Sequence, residues 1–501
     1  MTILAQSQTS GLHWVDFIVL GVYACSMVGL GWYYGRRQSS TSEYFVGSGR
    51  MNPGLIGISL FATLLSTISY LGTPGEIISK GPTVTFAGFF TAPLAFALVG
   101  YVLIPALMRK SVTSAYELLE TRLGLAVRVQ GAIFFVVLRL VWMSLLIHLA
   151  AKALLATLGW GPERLFLVTA LTGVVAVVYT ALGGLRAVVF TDFVQFLLLL
   201  GGAALVIATV TLRLGSLDWV PTKWAANWDD QPLFSLDPHA RTSLVGLVIS
   251  QTTWYVCTAG ADQTAVQRYM ATGGAKRARA AYLVTMLANL LVTILLTLVG
   301  FALLGYFQTY SHELPPGMSL REGDLLFPHY IAHQLPPGLA GLIVAAMFAA
   351  AMSSVDSGVN SITAVVTTDF VDRFSRRQLT PHGHVLLAKV LAFSIGAIVV
   401  AASSAMEHVP GNFLEMSKRT STLLMAPLFS LFFMALFVPF ATQFGTIVGA
   451  ICGLFASVLI AFWEPITGLQ AISFMWIGIS SLVVSLGVGV GLSSLQRHRD
   501  R

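Results

Sequence analysis

GLAGLIVAAMFAAAMSSVDSGVNSITAVVTTDFVD, residues 338–372, is apolar enough to span a bilayer, yet one stripe of it carries Ser353, Ser354, Asp356 and Ser357. A carboxylate at the centre of a membrane helix costs about 2.5–3.5 kcal/mol on insertion scales, so it marks a functional site by default. Positions 353, 356 and 357 stand at i, i+3 and i+4, which puts three oxygen-bearing side chains on one helix face. Oxygen donors without Cys or His suit a hard cation such as Na⁺.

Working outward from that stretch, the rest of the chain is of the same kind. Of 501 residues, 56% are hydrophobic and only 10% charged, with a mean hydropathy of +0.78. A soluble globule has no interior large enough for so much apolar surface. Runs of about 20 apolar residues, the length that crosses roughly 30 Å of hydrocarbon, recur throughout. They predict an all-α, polytopic membrane protein of about thirteen helices, over 13–35, 54–75, 84–108, 129–159, 164–183, 187–211, 242–264, 281–309, 337–371, 385–404, 411–438, 444–462 and 470–493. No soluble domain stands out.

Basic residues set the orientation. Alternate threading places Arg36, Arg37, Arg109, Lys110, Lys276, Arg277, Arg373, Arg376, Arg377 and the tail at 497–501 on one side, against Lys80, Arg164, Arg213, Lys223, Arg241 and Arg321 on the other. The richer side is cytoplasmic, so the amino terminus is expected outside and the carboxyl terminus inside, in a plasma or inner membrane. The net charge of +7 lies in short loops at helix ends, which favours anionic lipid as its partner over nucleic acid. Residues 1–12 are polar without a basic start, so no cleavable signal is expected. Cys25, Cys257 and Cys452 are expected to be small apolar packing residues.

Two spans are interrupted. In 54–75 a small, hydroxyl-rich run from Phe61 to Thr67 is followed by Gly72, Pro74 and Gly75, which are expected to break the helix; 242–264 carries Gln251, Thr252, Thr253, Thr258, Gly260, Asp262 and Gln263. Irregular backbone at membrane depth is tolerated beside protein or a water-filled cavity, where freed carbonyls can hold an ion. Broken helices five spans apart fit an inverted repeat of five plus five helices, 54–211 and 242–438, with an extra helix at 13–35 and two more at 444–493.

Five stretches carry a family likeness: SEYFVGSGRM (42–51), YELLETRLG (116–124), YTALGGLRAVVFTD (179–192), DQTAVQR (262–268) and MSSVDS (352–357). In this order they resemble the sodium/solute symporter family. The resemblance implies the inverted-repeat transporter fold and Na⁺-driven import of a small solute by alternating access. It implies a principal Na⁺ site made by Ala62, Leu65, Ala350, Ser353 and Ser354, and a second cation site made by Asp192, Asp356 and Ser357 with Ser353. At the second site this chain has Asp356 where certain relatives have Ser, so a second Na⁺, a proton and a structural contact of Asp192 to Arg186 compete.

The solute is less well defined. The sugar-carrying pattern of Asn and His near the first break, and of Lys in 281–309, is absent, while Leu71 to Glu76 is similar to the anion-carrying branch. Arg139 lies about 15 Å into its span, where its fork suits either a solute carboxylate or an internal Asp. Thr63, Ser66, Tyr70, Phe86, Trp254, Tyr255 and Gln263 are expected to line or gate the cavity by family position. Lys418 and Arg419 fall near the outer end of 411–438, where snorkelling accounts for them. A carboxylated solute is favoured, with a sugar as the alternative. A solute sensor is less favoured, and so is a membrane enzyme using Asp192 and Asp356, since no nucleophile elbow, phosphate loop or His-Glu-x-x-His occurs.

Overall fold

The computed structural model describes residues 12–35, 51–109, 114–230, 232–374, 380–408 and 413–499. The motif residues 42–50 and the basic residues Arg36, Arg37, Lys110, Arg376, Arg377 and Arg501 lie outside that set, as do the side chains of 175–184. Short turns aside, the elements are α1 (Trp14–Gly35), α2 (Pro53–Leu64), α3 (Thr67–Ser79), α4 (Thr83–Leu107), α5 (Glu117–Leu123), α6 (Leu125–Leu158), α7 (Leu165–Leu214) and α8 (Leu244–Ala261). They continue with α9 (Gln263–Ala271), α10 (Ala275–Thr309), α11 (Gly323–Gln334), α12 (Leu339–Val365), α13 (Pro381–Ser403), α14 (Phe413–Phe437), α15 (Gln443–Ala461) and α16 (Met475–Arg499). All regular structure among the described residues is helical.

Among the described residues, ten helices are long and apolar enough to cross a membrane, or eleven when α2 and α3, a pair bent by 60°, are taken as one span. Of the other two expected spans, 242–264 is occupied by α8 and the start of α9, and 164–183 by the start of α7, whose apolar part, Leu165–Val174, is a shorter apolar helix. One boundary differs. The sequence places two spans at 164–183 and 187–211, whereas α7 runs through both as 50 residues, about 75 Å of helix. The join holds Gly183 and Gly184 but no Pro, so nothing forces the hydrogen-bond ladder to end.

The two breaks share one construction. Leu65 and Ser66 are extended, and the Ser66 hydroxyl accepts the Ser69 N–H, capping α3. Asp262 is likewise extended between α8 and α9 and accepts the Thr264 N–H at 2.8 Å. Short polar side chains compete well for backbone donors, so each break ends one helix and starts the next. The first break thus falls at Leu65–Ser66, ahead of Gly72, Pro74 and Gly75, all of which stay inside α3. Gly75 serves packing instead: a Cβ there would come within 2.5 Å of the Asp324 carboxylate, and one on Gly323 within 2.2 Å of the Gly75 carbonyl, so α3 and α11 touch backbone to backbone.

α12 is the most enclosed span, with 83% of its window buried against 22% for α1. It packs on α1, α2, α6 and α7. α1 is fastened to its start by Asp16, whose Oδ1 accepts the N–H groups of Gly338 and Gly341, both at 2.7 Å. A carboxylate there satisfies free donors and meets the positive end of the helix dipole. At the far end of the chain, Gly445, Gly449 and Gly453 of α15 lie against Ser485, Gly489 and Ser493 of α16, the small-residue contact typical of membrane helices. Cys257 is buried and Cys25 exposed, and all three cysteines are free; the exposed Cys25 corrects the expectation of packing.

Candidate functional site

α12 carries Ala346, Ala350 and Ser354 in one i, i+4 row, and this small edge lets the helix approach the first break closely. The Ser354 hydroxyl lies 2.9 Å from the Thr63 carbonyl and 3.1 Å from the Leu65 carbonyl. Ala62, Thr63, Ala350 and Ser354 are all fully buried. This cluster of oxygens is neutral, and neutral hard donors hold a monovalent hard cation without cancelling its charge. The carbonyl of Thr63, rather than that of Ala62, is the partner within reach of Ser354.

Ser353 turns elsewhere. Its hydroxyl donates to Asp192 Oδ1 at 2.5 Å, and Asp192 Oδ2 accepts from Ser59 and from Arg268 Nη2, the latter at 3.3 Å. Arg268 also donates through Nε to Ser59 at 3.0 Å, through Nη1 to the Thr264 carbonyl, and through Nη2 to Ser357 at 2.7 Å. Ser357 in turn meets the Thr63 hydroxyl at 2.7 Å. A fully buried ion pair thus ties α2, α7, α9 and α12 together, with Asp356 buried on the same helix as Ser353 and Ser357. The expected partner of Asp192 was Arg186. Six residues apart on one helix is 600° of rotation, so the two point in different directions, and Arg268 takes the place.

Beside the first break lies a narrow cavity. Thr63 and Leu64 of α2, Leu138, Arg139 and Trp142 of α6, Trp254 and Thr258 of α8, and Ser421 and Met425 of α14 form its walls. Arg139 donates through Nη2 to Asp262, so the residue that caps α9 also anchors α6 to the second break. Arg139 Nε, Trp254 Nε1 and Thr258 Oγ1 are buried without a hydrogen-bond partner among the described residues. Two of these atoms are donors only, and buried donors are rarely left unmet.

Several expected cavity residues face away. Phe86 is 47% exposed and belongs to a stripe with Phe89, Phe90, Leu94 and Leu98 on the outside of α4, where lipid replaces the cavity as its neighbour. Gln263 accepts the Ala115 N–H at 2.7 Å, holding the turn before α5. Tyr255 packs on Trp254 and hydrogen-bonds Asn289 of α10. Tyr70 packs at a tilt against Phe327 of α11, and Ser66 is used as a helix cap. Leu138, Trp142, Thr258, Ser421 and Met425 went unforeseen, although Trp142 follows Arg139 by three residues and Thr258 follows Trp254 by four.

Ion pairs close both ends of the bundle. At one end Arg241 holds Glu76 of α3 in a two-pronged contact at 2.7 and 2.8 Å, and Glu415 of α14 at 2.8 Å. Nearby, Asp324 accepts the Phe413 N–H at 2.8 Å; burial, with Glu76 and Glu415 close by, pushes its carboxyl up to about 7. At the other end Arg128 binds Asp369 at 2.7 Å and Glu120 at 2.6 Å. Arg373 and Arg128 hold Glu120 below the ordinary carboxylate range.

Comparison with known proteins identifies the family and the fold. The model of the sodium:solute symporter family matches residues 44–453. The chain is 28% identical over 465 residues to the sodium/sialic acid symporter of Proteus mirabilis, covering 90% of each, and 27% identical to the human sodium-coupled monocarboxylate transporter 1, covering 90% of this chain and 73% of that one. A solved substrate-bound, outward-open Na⁺-coupled sialic acid symporter superimposes with a TM-score of 0.79 at 26% identity, covering 96% of this chain and 98% of that one. Mhp1, a nucleobase-cation-symport-1 family transporter, shares the fold at a TM-score of 0.58 and 12% identity, over 93% and 96%. The chain belongs to the sodium:solute symporter family, multi-pass membrane proteins that couple movement of small solutes to Na⁺.

Proposed function

We propose that the chain carries a carboxylated organic solute with Na⁺, the ion lying between the carbonyls of Ala62, Leu65 and Ala350 and the hydroxyls of Ser353 and Ser354. Thr63 belongs in that shell by its distance to Ser354. The observation that carries the solute class is the cavity wall: Arg139 Nε, Trp254 Nε1 and Thr258 Oγ1 await hydrogen-bond partners, and an acceptor-rich solute supplies them. Arg139, Thr63 and Trp254 contact the solute in this reading. The Arg241 end faces outside and the Arg128 end faces the cytoplasm, as the basic loops direct.

Asp192, Asp356 and Ser357, with Ser353, are a candidate second cation site in which Arg268 already supplies one positive charge. A second Na⁺ would add about 2.3 kcal/mol of drive per 100 mV. The Na⁺ Hill coefficient of Asp356→Ala decides: a fall toward one supports the second ion, and an unchanged coefficient with normal transport removes it.

The governing experiment is accumulation of radiolabelled sialic acid or L-lactate in proteoliposomes under an imposed Na⁺ gradient. Uphill, Na⁺-dependent uptake that is lost in Arg139→Gln is expected. Uptake indifferent to external Na⁺, or undiminished in that variant, would overturn the reading.

A further inference from the structure

We infer that Lys418, and not Arg139, selects the charge of the solute: the carboxylate sits against Lys418 at the Trp254 end of the cavity, and Arg139 acts as a hydrogen-bond donor to the uncharged part. This rests on the cavity being the solute site, as proposed above.

Arg139 and Asp262 form a buried pair, so together they bring no net charge to the cavity. Lys418 is placed differently. It stands one turn before Ser421 on α14, with its ammonium 5.1 Å from the centre of the Trp254 ring, and both Ser421 and Trp254 are cavity wall. The acidic residue nearest in sequence, Glu415, is held by Arg241 at 2.8 Å. Its basic neighbour Arg419 points off to the Ala461 carbonyl at 3.1 Å. No carboxylate among the described residues lies within ion-pair distance of Lys418.

A half-buried ammonium over an aromatic face gains a modest attraction but no neutralisation. Long stems let lysines reach water, yet this one is directed to the ring that walls the cavity. Trp254 stands eight residues before Asp262, about 12 Å along the helix axis. An uncompensated cation thus stands against the Trp254 wall of the cavity, and the neutral, donor-rich Arg139–Asp262 pair lies at the Arg139 wall. A solute that satisfies both ends carries one anionic group for Lys418 and oxygen acceptors along its body for Trp254 Nε1, Thr258 and Arg139 Nε. That is an oxygenated monocarboxylate, and its neutral amide should be rejected.

The test compares acids with their amides: sialic acid, L-lactate and lactamide, each measured by thermal stabilisation of the full-length purified chain in Na⁺ and by uptake into proteoliposomes. Wild type should be stabilised by the acids and not by lactamide. Lys418→Gln should weaken the acids about tenfold or more in apparent affinity, the usual scale for losing a charged hydrogen-bond partner, while stabilisation by Na⁺ alone persists. Lys418→Arg should restore the acids. Lys418→Met, which keeps the apolar stem over Trp254, covers the case in which the glutamine variant fails to fold. Undiminished acid affinity in Lys418→Gln or Lys418→Met, equal binding of lactamide by wild type, or stabilisation by none of the acids would each overturn the inference. If these lysine variants behave as wild type while Arg139→Gln loses uptake, the cavity reading stands and charge selection returns to Arg139. If neither residue matters, both readings fall.

Discussion

The two broken helices solve one problem with opposite chemistry. At Leu65–Ser66 the freed backbone meets only neutral partners, the Ser354 hydroxyl and neighbouring carbonyls. At Asp262 the break is charged and already balanced, with the carboxylate shared between the α9 cap and Arg139. A neutral cradle has room for a cation's charge and can release it again. A balanced pair holds structure together and leaves its spare donors for a neutral acceptor.

The comparison breaks most visibly at Asp262. Replacing it with Leu strands Arg139 in a buried site, a loss of about 3–5 kcal/mol for one partner of a buried pair. Asp262→Leu should melt far below wild type, and Arg139→Met in the same chain should recover most of the stability without recovering transport. Equal melting of the single and double variants would show that the pair does not carry the second break.

Next in size is Ser354→Ala. Removing one oxygen from a small neutral shell should raise the Na⁺ concentration for half-maximal transport by about ten- to a hundredfold. Ser353→Ala should move it less, because that hydroxyl is turned toward Asp192. The reverse ranking would relocate the ion toward α7.

Asp324 lies against Gly75 on α3, and its raised carboxyl has a definite sign. A folded-state value near 7, above that of the unfolded chain, favours the protonated native form, so its contribution to stability is complete at acid pH and is lost as pH climbs through 7. Thermal scans should show the melting temperature falling by a few degrees between pH 5 and pH 8, and Asp324→Asn should flatten that slope. An identical slope in both proteins would assign it to another group. The smallest effect belongs to Asp16→Ala, about 1–2 kcal/mol for a cap at the start of α12, with the Na⁺ dependence of transport left intact.

The positions of the spans and the Ser-rich stripe were legible because hydropathy and i, i+3, i+4 spacing are local properties. So was the pairing of the first break with α12, through hydroxyl-rich composition and a family likeness. The Asp192–Arg268 pair was not legible, since it joins α7 to α9 across 76 residues and depends on how two helices are phased against each other. Phe86 misled because an aromatic beside a break reads alike whether it faces a cavity or lipid. The nature of the first break was also hidden: Gly72, Pro74 and Gly75 look like breakers, yet the extended Leu65–Ser66 pair and its cap act before them.

The glycine contact between α3 and α11 has a mechanical corollary. With no side chain between Gly75 and Gly323, any tilt of α3 about its joint at Leu65–Ser66 would be passed directly to the backbone of α11. On the proposed reading, an ion held at that joint and the position of α11 are coupled through this one contact.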